Sequence, residues 1–140
     1  MELNKLTVEE LFKLISPNSD IRQELTNRNV IKTKNLVGEI GLYYVNHLYE
    51  TTSYLPNLIL QPPSSKNINF VTKTNNIKYA VKTVTSKKGT TGSFWGPEQI
   101  EKNIKSFDFL LIVILDNDYQ LELVLELTWN DFFRFKKYNK

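Results

Sequence analysis

Apolar residues along this chain recur first with a helical period and then with a strand period, and the switch between the two lays out the elements. In the first third the spacing is three and four. Thr7 followed by Glu10 forms a capping box, and Leu11, Leu14 and Ile15 make the apolar stripe of a helix over Thr7 to Ile15. "SPNSD" stops it, and a second short helix is expected over about Ile21 to Arg28. A longer helix runs from Asn35 to about Thr51. Val37, Ile40, Gly41, Tyr44 and Leu48 share its core-facing side, with Glu39, Asn46 and Glu50 opposite.

Beyond residue 52 the period falls to two. "SYLPNLILQPPSSKN" reads as a surface connection with a short extended piece at Leu58 to Leu60. Strands are expected over about Ile68 to Lys73 and Ile77 to Thr85, joined by a "TNN" turn. "KKGTTGSFWGPEQ" is a glycine-rich loop, and Pro97 suits the first turn of a short helix over Glu98 to Lys105. "FDFLLIVILD" is apolar throughout, as in a strand covered on both faces. "QLELVLEL" alternates, predicting a strand whose leucines pack and whose other face is mostly wet. Thr128 caps a last helix that buries Trp129, Phe132 and Phe133. The expected fold is a single α/β domain over residues 1–140, with a helical segment at 1–30 and a core at 31–140. That core holds a mixed, four-stranded central sheet flanked by helices.

Composition narrows the chemistry. The 140 residues suffice for one domain with a core, and 41% hydrophobic with 24% charged is ordinary for a globular protein. The absence of cysteine excludes disulfides and thiolate metal sites. No stretch has the apolar length of a membrane span, and "MELNKLTVEE" does not read as a signal peptide, so a cytoplasmic protein without membrane contact is expected. A formal net charge of +3 is compatible with nucleic acid but speaks first of solubility.

The sharpest question is Lys82, a lysine near the middle of the strand "IKYAVKTVT". Alternation sends Tyr79, Val81 and Thr83 one way, and Lys78, Ala80, Lys82 and Val84 the other. One reading makes Lys82 an edge-strand lysine that blocks unwanted pairing. The other uses the order of elements together with "GEIGLYYV", "KNINFV" and "YAVKT". A helix with an acid, then a hairpin with an acid on its first strand and a lysine on its second, resembles the PD-(D/E)xK, or restriction-endonuclease-like, nuclease superfamily. The resemblance covers about Asn27 to Lys137, and its active-site motif is degenerate here. It implies the restriction-endonuclease-like fold and Mg²⁺-dependent endonuclease chemistry on DNA. Carboxylates would hold the metal, which polarises the phosphate and activates water, while the lysine stabilises developing charge.

Carried over position by position, the resemblance makes Glu39 an outer metal ligand and sets Asn69 where the family has its metal-binding aspartate. Ala80 stands where it has its second acid, and Lys82 is its lysine. Glu39, Asn69 and Lys82 are therefore the catalytic candidates, and Glu39 and Asn69 the metal candidates. An amide keeps one oxygen ligand without the charge, and Ala80 offers no side-chain ligand, so Mg²⁺ would bind weakly. Asp108 or Glu50 could supply a displaced carboxylate, although strand entry and a solvated helix face explain them as well. A second class of function, a catalytically inactive module binding nucleic acid or a protein partner, stands beside the nuclease.

Around the hairpin and the glycine-rich loop, Lys66, Lys73, Lys78, Lys82, Lys87 and Lys88 cluster in the sequence. Lys73, Lys78, Lys87 and Lys88 are candidate contacts to a DNA backbone, with Trp95 stacking on a base. Phe94 and Trp95 serve equally as pins holding that loop to the core. Nucleases that cut both strands commonly dimerise, so the resemblance also admits a homodimer. His47, the only histidine, lacks partners at metal-ligand spacing and reads as a helix-flank residue.

Overall fold

The computed structural model describes residues 3–15, 19–32, 35–62, 67–85 and 102–138. After a 3-10 turn at Leu3–Lys5, three helices precede the sheet: α1 (Val8–Leu14), α2 (Ser19–Asn27) and α3 (Leu36–Thr51). The strands are β1 (Leu58–Leu60), β2 (Phe70–Thr72), β3 (Lys78–Val84), β4 (Phe109–Leu115) and β5 (Leu121–Thr128), and α4 (Trp129–Tyr138) follows. The sheet is mixed and has the order β1-β2-β3-β4-β5, with β3 and β4 parallel and every other neighbouring pair antiparallel.

Local chemistry explains most boundaries. Thr7 and Glu10 form the expected reciprocal cap on α1, each side chain accepting the other's backbone N–H. Asn35 is the cap of α3, its Oδ1 accepting from Gly38 N–H at 3.1 Å. In the β2–β3 turn, Asn76 takes a left-handed conformation (φ 52°) that asparagine tolerates better than most residues. Thr72 closes that turn twice, donating its backbone N–H to Ile77 O and accepting Ile77 N–H on its hydroxyl. Arg28 ties the N-terminal segment down, donating to the carbonyls of Leu3 and Leu6 while pairing with Glu24 at 2.7 Å.

Among the described residues the sheet carries five strands rather than the four expected. The extra strand is the piece at Leu58–Leu60, which three residues of weak pattern could not distinguish from loop; pairing with β2 makes it a strand. The helix expected over Glu98 to Lys105 falls mainly outside the described residues, and residues 102–105 are not helical.

Two apolar clusters lie on opposite faces of the sheet. The larger joins Leu11, Phe12, Ile21, Leu25, Ile40 and Val45 of the first three helices to Phe70, Tyr79, Val81, Leu111, Val113 and Leu115. The smaller joins Ala80 and Leu110 to Phe107, Trp129 and Phe132, so α4 packs on the reverse face. The helix α3 lies close on β3. A methyl group added at Gly41 would come within 1.8 Å of Thr83 Oγ1, so only glycine allows that approach. Farther along the same contact, the Tyr79 ring packs against Tyr49 and Phe109 with centroids at 5.7 and 5.2 Å.

The leucine face of β5 departs from its alternation. Leu123 and Leu125 are 43 and 40% exposed, because β5 is the last strand of the sheet among the described residues and α4 covers only its far end. A bulge pairs Leu121, 37% exposed, with Leu115, so that it does not continue their row. Among the described residues, no helix is long and apolar enough to cross a membrane.

Candidate active site

The strand β3 is the platform on which any site here must rest. Thr83 meets Gly41 of α3, and Val81 and Tyr79 belong to the cluster beneath α3. Alternation therefore turns Ala80 and Lys82 to the opposite face, where Ala80 is fully buried among Phe107, Leu110, Trp129 and Phe132. Lys82 is half-buried and registers beside Ile112 of β4. Burial away from water disfavours its charged form and lowers its pKa from the ordinary lysine value.

Asn69 stands just before β2, at the point where β2 and β3 part. Its backbone N–H donates to Tyr79 O at 2.8 Å, and its carbonyl accepts from Gln61 N–H. Its side-chain Oδ1 accepts Val81 N–H at 2.8 Å. That N–H points toward β2, but the described ladder between the two strands ends at the Phe70–Tyr79 pair. The carboxamide thus takes the place of a missing strand residue and satisfies a half-buried donor that would otherwise be orphaned. Asn69 thus binds the backbone of β3 at the residue that precedes Lys82.

Glu39 is placed differently. It sits in the first turn of α3, about 200° of helix rotation from Gly41, which touches the sheet. Despite lying on the polar side of the helix, it is buried, because residues 31 and 32 pass over it and Lys32 N–H donates to its carboxylate. Glu39 and Lys82 therefore lie on opposite sides of the sheet, and Glu39, Asn69 and Lys82 do not share one cleft.

The rescuing acids also have local work. Asp108 accepts Lys78 N–H at 2.8 Å on one oxygen and pairs with Lys105 Nζ at 2.6 Å on the other. Burial pushes its carboxyl up, but the bonds from Lys105 and Lys78 outweigh that and hold it below the usual range. Glu50 accepts from Asn46 on the exposed side of α3, at 3.5 Å. Neither is brought to Lys82, which shares a strand face with Ala80. Among the described residues, no three His, Asp or Glu side chains gather closely enough to hold a metal ion.

Of the candidate backbone contacts, Lys73 and Lys78 are exposed at the turn end of the β2–β3 hairpin, where Lys78 registers with Val71. Asp108 links Lys105 to the backbone of Lys78, at the rim of an open groove of about 310 Å³ between the entries of β3 and β4 and the start of α4. Trp129 forms one wall of that groove, its Nε1–H donating to Asn103 Oδ1 at 2.7 Å. Lys87, Lys88 and Trp95 lie outside the described residues. His47 is exposed, its ring stacked on Tyr43 with centroids at 5.9 Å, which accords with a helix-flank residue.

The chain matches no protein-family model and no curated protein sequence.

Two features of this region were not legible in the sequence. One is the use of the Asn69 side chain as a substitute strand residue. The other is the burial of Glu39 by a segment seven residues upstream. The only signal was the motif-like placing of both residues, and it pointed to metal ligation instead.

Proposed function

We propose that this chain is a non-hydrolytic, nucleic-acid-binding module with a restriction-endonuclease-like arrangement, which holds a DNA backbone through the lysines of its β2–β3 hairpin. One observation carries the non-hydrolytic half. The side chains standing at the nuclease positions are committed to structure: Asn69 Oδ1 to Val81 N–H, the Glu39 carboxylate to Lys32 N–H, and Ala80 to an apolar cluster. A hydrolytic site needs oxygen ligands free to bind Mg²⁺ on the side of the lysine. The likeness of fold is supported by a helix bearing Glu39, followed by a hairpin bearing Asn69 and Lys82, within a mixed sheet flanked by helices.

The binding half rests on charge. Among the described residues, Lys78 and Lys105 meet the carboxylate of Asp108 at one end of the sheet, and Lys73 is exposed at the turn end of the same β2–β3 hairpin. Phosphate contacts of this kind release counterions and carry no sequence preference.

The test is fluorescence anisotropy with labelled duplex DNA over a salt series, together with a cleavage assay in millimolar-range Mg²⁺. The expected result is salt-dependent binding that Lys73→Glu and Lys78→Glu weaken alike on all sequences. Each charge reversal should also reduce the salt slope by about one, the share of a single neutralised phosphate. No cleavage should accompany it. Cleavage that disappears with Lys82→Ala would establish hydrolysis and overturn the reading. Binding indifferent to salt and to both charge reversals would remove DNA from it.

A further inference from the structure

Where the entries of β3 and β4 meet the start of α4, the groove of about 310 Å³ is cut into the end of the sheet. Ile77 and Phe109, both only partly buried, supply its apolar lining, with Trp129 as a wall. Phe109 is stacked on Tyr79, and Asn103 holds the Trp129 Nε1–H, so both rings are fixed in place. The polar lining is Thr128, Asn130, Lys105 and Asp108. Asp108 is already engaged, accepting Lys78 N–H on one oxygen and pairing with Lys105 on the other. Lys105 is exposed, and that pair occupies only one of the three donors of its ammonium. The Asn130 carboxamide is exposed and makes no hydrogen bond among the described residues.

We infer that this groove receives a single unpaired base of a DNA strand, with Lys105 on the adjoining phosphate. The inference rests on the DNA reading and names the part of the strand that this end of the sheet takes. Size sets the first condition. A volume of about 310 Å³ lies at the bottom of the range of ligand sites, roughly 300–1,000 Å³. That is room for one planar ring system and not for a double helix. The lining sets the second condition, since apolar and aromatic walls suit the faces of a base, which stack without regard to sequence.

Asn130 sets the third condition. On the edge used for pairing, every base carries a hydrogen-bond donor beside an acceptor. A carboxamide carries the complementary pair, so Asn130 suits that edge whichever base presents it. In a duplex the edge is occupied, and extracting a base costs its pairing and stacking. A base already unpaired enters without that cost. The position agrees as well. Lys78 lies on the hairpin proposed to hold the DNA backbone, and Asp108 ties it to Lys105 at the rim of the groove. A strand followed along the hairpin therefore arrives at the groove.

The experiment uses the full chain and labelled duplexes of one core sequence, read by fluorescence anisotropy at fixed salt. One duplex is blunt, one ends in a fork of three unpaired adenines on each strand, and one has the same fork built of abasic nucleotides. The fork presents both strand polarities, and its abasic form keeps the phosphates without the bases. The adenine fork should bind at least about fivefold more tightly than the abasic fork, the low end of what one stacked base contributes. Asn130→Ala should lower that ratio at least about twofold, whereas Lys73→Glu should weaken all three duplexes and leave the ratio in place. Both positions are exposed, and circular dichroism verifies that the variants are folded. Equal binding of the two forks, or a ratio untouched by Asn130→Ala, would overturn the inference, while salt-dependent binding of the blunt duplex would leave the DNA reading standing. So would adenosine 5′-monophosphate binding as tightly as the adenine fork, since the occupant would then be a free nucleotide. Binding of none of the three duplexes would remove the DNA reading and the inference together.

Discussion

Replacing Ala80 by glutamate decides whether β3 presents a latent catalytic cleft or an apolar core. In the family that the chain resembles, an acid at this position helps to hold the metal, so restoring it is the obvious route to activity. The structure gives the opposite expectation, because Ala80 is fully buried with Phe107, Leu110, Trp129 and Phe132 around it. A carboxyl placed there escapes the cost of a buried charge by remaining protonated. At pH 7, against an ordinary value near 4.3, that costs about 1.4 kcal/mol per pH unit, or roughly 3.7 kcal/mol. Overpacking adds roughly 1–3 kcal/mol. The sum, roughly 5–7 kcal/mol, rivals the whole stability of a small domain.

The pH dependence identifies the cause. The folded variant binds more protons than the unfolded chain, so its deficit relative to the parent shrinks as the pH falls. The slope is about 1.4 kcal/mol per unit between pH 7 and the unfolded value. Urea denaturation followed by tryptophan fluorescence between pH 5 and 8 measures it, with Ala80→Gln as a control that carries the volume without the titration. An Ala80→Glu chain as stable as its parent, with no pH-dependent difference, would refute the burial argument. If Lys82→Ala then destabilised that variant, the introduced carboxylate and Lys82 would be paired in a polar cleft, and the nuclease reading would return.

Two further changes test the structural assignments around this strand. Asn69→Ala orphans Val81 N–H where β2 and β3 part and should cost about 1–3 kcal/mol, whereas Asn69→Asp keeps the acceptor and should stay close to the parent at neutral pH; urea midpoints compare them. Gly41→Ala drives a methyl to 1.8 Å from Thr83 Oγ1 and should cost about 2–4 kcal/mol in thermal melts. Adding Thr83→Ala should recover only part of that loss, because the Thr83 Cβ still lies within 2.8 Å.

How far the sequence reached can be followed residue by residue. The Thr7–Glu10 cap, the long helix through Val45, the "TNN" hairpin and the buried "FLLIVIL" strand depend on interactions within a few residues or on a simple period. Their chemistry is local, and the pattern alone determined them. The division of Tyr79, Val81 and Thr83 from Ala80 and Lys82 also followed from alternation, because the pleat leaves no other arrangement.

Tertiary structure decided the rest. Periodicity assigned Glu39 to a polar helix face, but only the packing of residues 31 and 32 across that face buries its carboxylate. A motif placed Asn69 at a metal-ligand position, while the parting of two strands gave its oxygen a backbone donor to satisfy. Alternation in "LELVLEL" predicted a packed leucine face, yet the place of β5 at the end of the described strand order leaves Leu123 and Leu125 exposed. Sequence pattern specifies which side chains point together. Which surfaces then meet depends on how distant elements pack, and no local period encodes that.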